Sequence, residues 1–161
     1  MSLLAQRLHA EKFDYKVVNA SISGETTSGG RSRIGSALKT HRPELVIIEL
    51  GANDGLRGTS LAAMRTNLEA IVDACKATNA AVLLVGIRLP PNFGTDYTSK
   101  FQQVFSDVAR SRKLRPAPFI LDGFGEKREL FQADGIHPTA AAQPLMLETV
   151  WKELKPLLKR R

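Results

Sequence analysis

The chain is short of the groups that would tie it together from outside or anchor it to a large partner. It has one cysteine, Cys75, among 161 residues, so no internal disulfide can form. Cys75 falls on the apolar stripe of an expected helix and reads as a buried structural thiol, because a reactive one needs exposure and a positive neighbour. Aromatic residues make up 6% of the sequence. None stands in the basic C-terminal stretch "KELKPLLKRR", where a single-stranded nucleic-acid platform would need rings for bases to stack on. The longest apolar runs, "LVIIEL" and "AAVLLVGI", fall far short of the ~20 residues that cross a bilayer. The opening, "MSLLAQRLHAEKFDYK", has no basic segment followed by an apolar one, so it does not read as a secretory signal. Acidic residues are also in deficit: 16 against 23 Lys and Arg, for a net charge of +7. Much of the excess sits at the C-terminus, where cations suit the last turn of a helix. Histidine is scarce, and His9 and His41 lie among charged residues and read as surface.

What is present suffices for one domain with a real core. At 43% apolar and 24% charged, the composition is that of a globular chain. No repeat, linker or low-complexity stretch appears. Residues 15–19, "YKVVN", form a short β-rich run, followed by the Ser-, Thr- and Gly-dense loop "ASISGETTSGG". A helix is expected over about 28–41, closed by Pro43. "ELVIIEL" (44–50) suits a strand buried on both faces. "GANDGLRG" reads as a loop. Residues 59–79 carry a helical stripe of Leu61, Met64, Leu68, Ile71, Val72 and Cys75. "AVLLVGI" (81–87) is the next strand, and "RLPPNFGTDY" (88–97) is irregular because prolines and a glycine interrupt it. A helix over about 97–112 presents Phe101, Val104, Phe105 and Val108. "APFIL" (117–121) reads as a last strand, and a final helix over about 140–159 carries Leu145, Met146, Val150, Leu154 and Leu158. Alternating strands and helices imply an α/β fold, a parallel sheet with helices on both faces. Ligands of such sheets bind beyond the carboxyl ends of the strands. The polar loops after residues 19, 50 and 87 lie on that rim, with "DGIHP" in the loop entering the last helix.

Three small patterns on that rim carry chemistry. Gly24, in "ASISGE", lets a backbone N–H approach a ligand without a side chain in the way; a plain tight turn is the alternative. Asn53, in "GAND", has an amide that can donate to a developing oxyanion; turn chemistry is the alternative. Asp134 and His137, in "DGIHP", have the types of an orienting carboxylate and a general base; Asp134 could instead cap the last helix.

Taken together and in this order, "VNASISGETT", "IELGANDGLRG", "IRLPPNFG" and "DGIHPTAAAQP" resemble the SGNH hydrolases, also called GDSL esterases and lipases. Within that family they resemble the branch of multifunctional thioesterase, arylesterase and lysophospholipase enzymes. The likeness runs from about Val17 to Leu158. It implies a flavodoxin-like three-layer α/β/α fold with sheet order 2-1-3-4-5. It implies His137 as general base, Asp134 as its orienting carboxylate, and the Gly24 N–H and Asn53 side chain as oxyanion donors. The loop matching "RLPPNFG" would border the acyl pocket and move when ligand binds. The implied partner is a small-molecule acyl ester or thioester, with no nucleic acid, no stable membrane insertion, no cofactor and no metal. Apolar character around Ile87, Leu89 and Phe93 leans towards an acyl chain over a sugar.

One family block has no counterpart. The family's nucleophilic serine lies in a Gly-Asp-Ser loop after the first strand, and these 161 residues contain no Gly-Asp-Ser. The expectation is a single SGNH domain over 1–161, N-terminally truncated by about 20–30 residues, the size of a strand and its loop. The missing strand would be the central one, so a gap or a repaired pairing is expected between 15–19 and 44–50. Many relatives are exported, and any signal here would lie upstream of Met1. Ser21 and Ser23 read as loop hydroxyls making local backbone bonds. The reading is a serine ester hydrolase inactive until the upstream segment is restored. A pseudoenzyme binding acyl or glycan ligands is the alternative, and a flavodoxin-like binding or signalling domain is a third, which leaves Asn53, Asp134 and His137 unexplained.

Overall fold

The structure is a computed structural model that describes residues 2–159. Arg160 and Arg161, the end of the basic stretch, lie outside the described residues. Among the described residues six α-helices surround a short parallel sheet: α1 (Ser2–Ala10), α2 (Thr27–His41), β1 (Leu45–Ile48), α3 (Ala52–Leu56), α4 (Leu61–Ala77), β2 (Ala81–Leu84), α5 (Thr95–Ser111) and α6 (Gln143–Leu154). β1 and β2 pair in register from Leu45 opposite Ala81 to Ile48 opposite Leu84.

Helix ends follow local chemistry. Thr26 caps α2 by accepting from the Gly29 N–H, and Arg42 ends it in a left-handed conformation, φ 43°. Pro43 then bars continuation. Ser60 caps α4 through the Ala63 N–H. The α4 stripe is buried at Met64, Leu68, Ile71, Val72 and Cys75, as its spacing predicts. Phe101, Val104, Phe105 and Val108 of α5 bury against it.

Alternation along β2 divides the core in two. Val82 and Leu84 face one cluster, with the buried stripes of α4 and α5. Leu83 and Val85 face the other, with Leu8, Phe13, Trp151 and Leu154. The sheet therefore lies between α2, α4 and α5 on one side and α1 and α6 on the other, the three-layer α/β/α arrangement.

Several elements differ from expectation. Residues 15–19 are not a strand, because a strand exists only with a neighbour to pair with and none lies beside them. Val18 is left 48% exposed. β1 is only half-buried at three of its four positions, for the same reason. "GANDGLRG" contains the helical turn α3, favoured by Asp54 in its first turn. Residues 117–121 reduce to a single parallel bridge between Gly86 and Phe119. Pro118 has no N–H to extend a ladder, and a side chain on Gly86 would collide with the Phe119 ring, 2.8 Å from the added carbon. The last helix is shorter than expected. It is flanked by 3-10 turns at Ala140–Ala142 and Lys155–Leu157, and Leu145 is exposed.

Candidate active site

Asp134 and His137 meet as their spacing suggests. Asp134 Oδ2 lies 2.7 Å from His137 Nδ1. Asp134 Oδ1 accepts from the Ile136 N–H at 2.9 Å and the His137 N–H at 3.0 Å. The backbone turns sharply through Gly135, φ 68°, and is pinned by Gln132 N–H to His137 O, 2.8 Å, and Thr139 N–H to Leu130 O, 2.8 Å. Asp134 therefore organises the turn and the imidazole and does not cap the last helix, whose leading turn starts after Thr139. With Nδ1–H donating to the carboxylate, Nε2 holds the lone pair. It makes no hydrogen bond among the described residues, and the His137 side chain is 71% exposed.

The His137 hydrogen bond first, then the two backbone N–H groups, hold the Asp134 carboxyl down at about 2. A depressed carboxylate contributes stability that is fully present above its unfolded value, about 3.9, and is lost as pH falls through the folded value. The expected result is an Asp134 carboxyl resonance that titrates near 2, with the turn around Gly135 loosening as pH falls from about 3.9 through that value. A midpoint near the ordinary Asp value would mean that the Asp134–His137 bond does not persist in solution.

Gly24 sits in a turn closed by the Glu25 N–H on Ile22 O, 3.3 Å. Its φ of 77° is the reason for glycine there, since an added Cβ would meet nothing within 4 Å. Asn53 lies in the first turn of α3, and its Nδ2 donates to Glu25 O at 2.9 Å. That bond uses one amide hydrogen, so the second remains to donate. Arg33 braces the Gly24 turn from α2, with Nε 2.6 Å from Glu25 Oε2 and Nη1 2.7 Å from Ala20 O.

The contact that ties the two donor loops together was not legible in the sequence. Asp54 is 1% exposed. Its oxygens accept from Thr27 N–H at 2.9 Å and Thr27 Oγ1–H at 2.6 Å, and Asn67 Nδ2 donates to Thr27 Oγ1 at 3.2 Å. A buried carboxylate is tolerated only when so satisfied. Hydrogen bonds to a charged group contribute about 1.5–3 kcal/mol, so Asp54→Ala is expected to cost about that much, read as a lower urea midpoint. An unchanged midpoint would show that the network does not hold the loops.

The other expected features divide. The Ser21 N–H bonds Asn19 Oδ1, so the local bond is to the Ser21 backbone and not from its hydroxyl, and neither Ser21 nor Ser23 hydrogen-bonds His137 among the described residues. Ile87 and Leu89, each 7% exposed, belong to the core, which weakens their case as acyl contacts. Residues 88–97 are not irregular throughout: α5 begins at Thr95, and Tyr97 in its first turn donates its O–H to Gly55 O at 3.1 Å, which fastens α5 to α3. Asn53 and the Gly24 turn stand apart from the His137 loop in their immediate surroundings. The large cavity, about 620 Å³, is lined by Asn53 and Glu25 but not by Gly24 or His137. It lies in the sheet layer beside β1, whereas the His137 loop stands out in solvent. Glu49 keeps open surface on this cavity, yet the atoms packed round it desolvate its carboxyl and raise it above the usual carboxylate range.

Residues 2–144 match the model of the GDSL-like lipase/acylhydrolase family. The esterase TesA of Pseudomonas aeruginosa is 50% identical over 158 residues, 98% of this chain and 79% of that protein. A protein of Escherichia coli named "thioesterase 1/protease 1/lysophospholipase L1" is 41% identical over 88% of this chain and 68% of its own. The crystal structure of TesA superposes with a TM-score of 0.95 at 50% identity, covering 98% of this chain and 87% of that one.

Proposed function

The chain belongs to the GDSL-like lipase/acylhydrolase family, and on that premise we propose that it is the base-and-oxyanion portion of a serine ester hydrolase acting on acyl esters or thioesters. The observation that carries this reading is the 2.7 Å contact of Asp134 with His137 Nδ1, which leaves Nε2 as a base with its tautomer fixed. His137 takes the proton of the attacking hydroxyl. The second Asn53 amide hydrogen and the Gly24 N–H receive the oxyanion of the tetrahedral intermediate. His137 then protonates the leaving group, and the acyl-enzyme is released by water through the same base. The related names, an esterase and a thioesterase/lysophospholipase, support acyl esters, lysophospholipids or acyl thioesters as substrates.

Residues 1–161 form one domain in this reading, and the serine that His137 would serve is that of the family's Gly-Asp-Ser block, which these residues do not contain. Extended at the N-terminus by a strand ending in Gly-Asp-Ser, the chain is expected to hydrolyse short-chain p-nitrophenyl and thioester substrates. In that form Asn53→Ala should lower kcat by roughly 10²–10³ with a smaller effect on KM. A change in KM alone would make Asn53 a substrate-binding residue. The absence of Gly-Asp-Ser from the chain favours a second reading, a non-catalytic acyl- or glycan-binding protein. Ligand binding without turnover by the extended form would decide for it.

A further inference from the structure

The turn that carries Gly24 is not held by packing. Residues 18–24 are all exposed, and the large apolar side chains among them, Val18 and Ile22, are 48% and 56% exposed. The bonds within the turn are local, from the Glu25 N–H to Ile22 O and from the Ser21 N–H to Asn19 Oδ1. Among the described residues, two hydrogen bonds join residues 18–24 to more distant parts of the chain. Arg33 Nη1 donates to Ala20 O at 2.7 Å, and Arg57 Nη2 donates to Gly24 O at 3.4 Å. The second is long for an N–H···O bond, so Arg33 supplies the firmer hold.

Arg33 also grips the far end of the turn. Its Nε lies 2.6 Å from Glu25 Oε2, and the Glu25 side chain is 15% exposed. One guanidinium therefore spans Ala20 and Glu25, the residues that flank Ser21 to Gly24. Its planar fork fixes both acceptors at once. The Glu25 carboxylate is seated over Gly29, where an added Cβ would fall 1.8 Å from Glu25 Oε1. Gly29 and Arg33 lie one turn apart on the same face of α2. The carbonyl of the same Glu25 accepts from Asn53 Nδ2 at 2.9 Å. The Gly24 N–H and the Asn53 amide are thus both placed by Glu25, one through the adjoining peptide and the other through this bond.

We propose that Arg33 is a positioning residue which, through Glu25, sets the Gly24 N–H and the Asn53 amide in register as a pair of oxyanion donors. The placement stands on the bonds above, and its catalytic consequence rests on the ester-hydrolase reading. Arg33 bonds neither donor and has no need to touch substrate. Without it both donors remain but are misplaced. Such donors stabilise an oxyanion only at about 2.7–3.1 Å from the position that oxygen takes in the transition state. A shift of the turn therefore weakens the transition state more than the bound substrate, and kcat falls while KM holds. Lysine is a poor replacement, because one ammonium on a flexible stem lacks the fork that fixes two acceptors together.

The test reads kinetics in the chain extended by a strand ending in Gly-Asp-Ser, and NMR in the 161-residue chain. Arg33→Ala is expected to lower kcat by about 10- to 100-fold with KM within about threefold of the parent, the pattern of a donor misplaced and not removed. Ethylguanidinium in solution should restore activity to Arg33→Ala and do nothing for Asn53→Ala. Gly29→Ala keeps the arginine but drives the Glu25 carboxylate off it, and alanine suits a helix better than glycine. Its kcat should fall likewise while its urea midpoint does not. In the 161-residue chain both variants should shift the Gly24 amide and Asn53 side-chain amide resonances and leave those of His137 in place. Parental kcat in both variants, a change confined to KM, or unmoved Gly24 and Asn53 resonances would overturn the proposal. So would a loss of kcat that ethylguanidinium does not restore and that follows a lowered urea midpoint in both variants, because the pair would then serve stability alone. An extended parent without turnover counts against the hydrolytic reading only, and the resonances then decide the placement.

Discussion

In a form that carries the serine, His137→Ala is expected to lower kcat by about 10⁶, to the level that survives loss of the whole triad. The size follows from the unit in which the groups act. A serine hydroxyl attacks only as its proton leaves, and Nε2 of His137 is the acceptor that the 2.7 Å bond from Nδ1 to Asp134 leaves available. Asp134→Asn should cost less, about 10⁴, because it disturbs the tautomer and leaves the imidazole in place. Pre-steady-state kinetics with a p-nitrophenyl ester separates the cases. Both variants should lose the acylation burst with little change in substrate binding. A His137→Ala enzyme within tenfold of the parent would remove His137 from the mechanism. The turn makes this a fair test. Its backbone is held by Gln132, Thr139 and the Asp134 side chain, so losing the imidazole leaves the fold of the loop in place.

The site was legible where chemistry is local. Asp134 and His137 lie three residues apart on one turn, so their contact needs no tertiary information beyond that turn. The α4 and α5 stripes were legible because burial repeats at helical spacing. The strands were less so. A β-run shows its tendency in sequence but becomes a strand only beside a partner, and "YKVVN" has none. "APFIL" is β-rich, yet its proline, Pro118, limits it to one bridge. "GAND" shows how turn residues can hide a helix: Asn53 and Asp54 suit a loop and equally suit a helix's first turn. The bond from Asp54 to Thr27 spans 27 positions, and no spacing rule reaches that far. The same holds for Arg33, which reads as one more surface cation until the structure sets it on Glu25 and Ala20.

Catalysis by the 161 residues alone is expected to be negligible, because base and nucleophile fail together when either is missing. On the proposed assignment neither Ser21 nor Ser23 stands in, since neither is bonded to His137 among the described residues and Ser23 immediately precedes Gly24, the proposed oxyanion donor. The most direct test is intact mass after treatment with a fluorophosphonate, which reacts only with an activated serine. The 161-residue chain should gain no adduct and turn over no p-nitrophenyl or thioester substrate. The chain extended by a strand ending in Gly-Asp-Ser should gain one adduct, on that serine, together with turnover, and both should vanish when the serine is replaced by alanine. An adduct on the 161-residue chain itself, mapped to Ser21 or Ser23 and accompanied by ester turnover, would contradict the account and place the nucleophile within it.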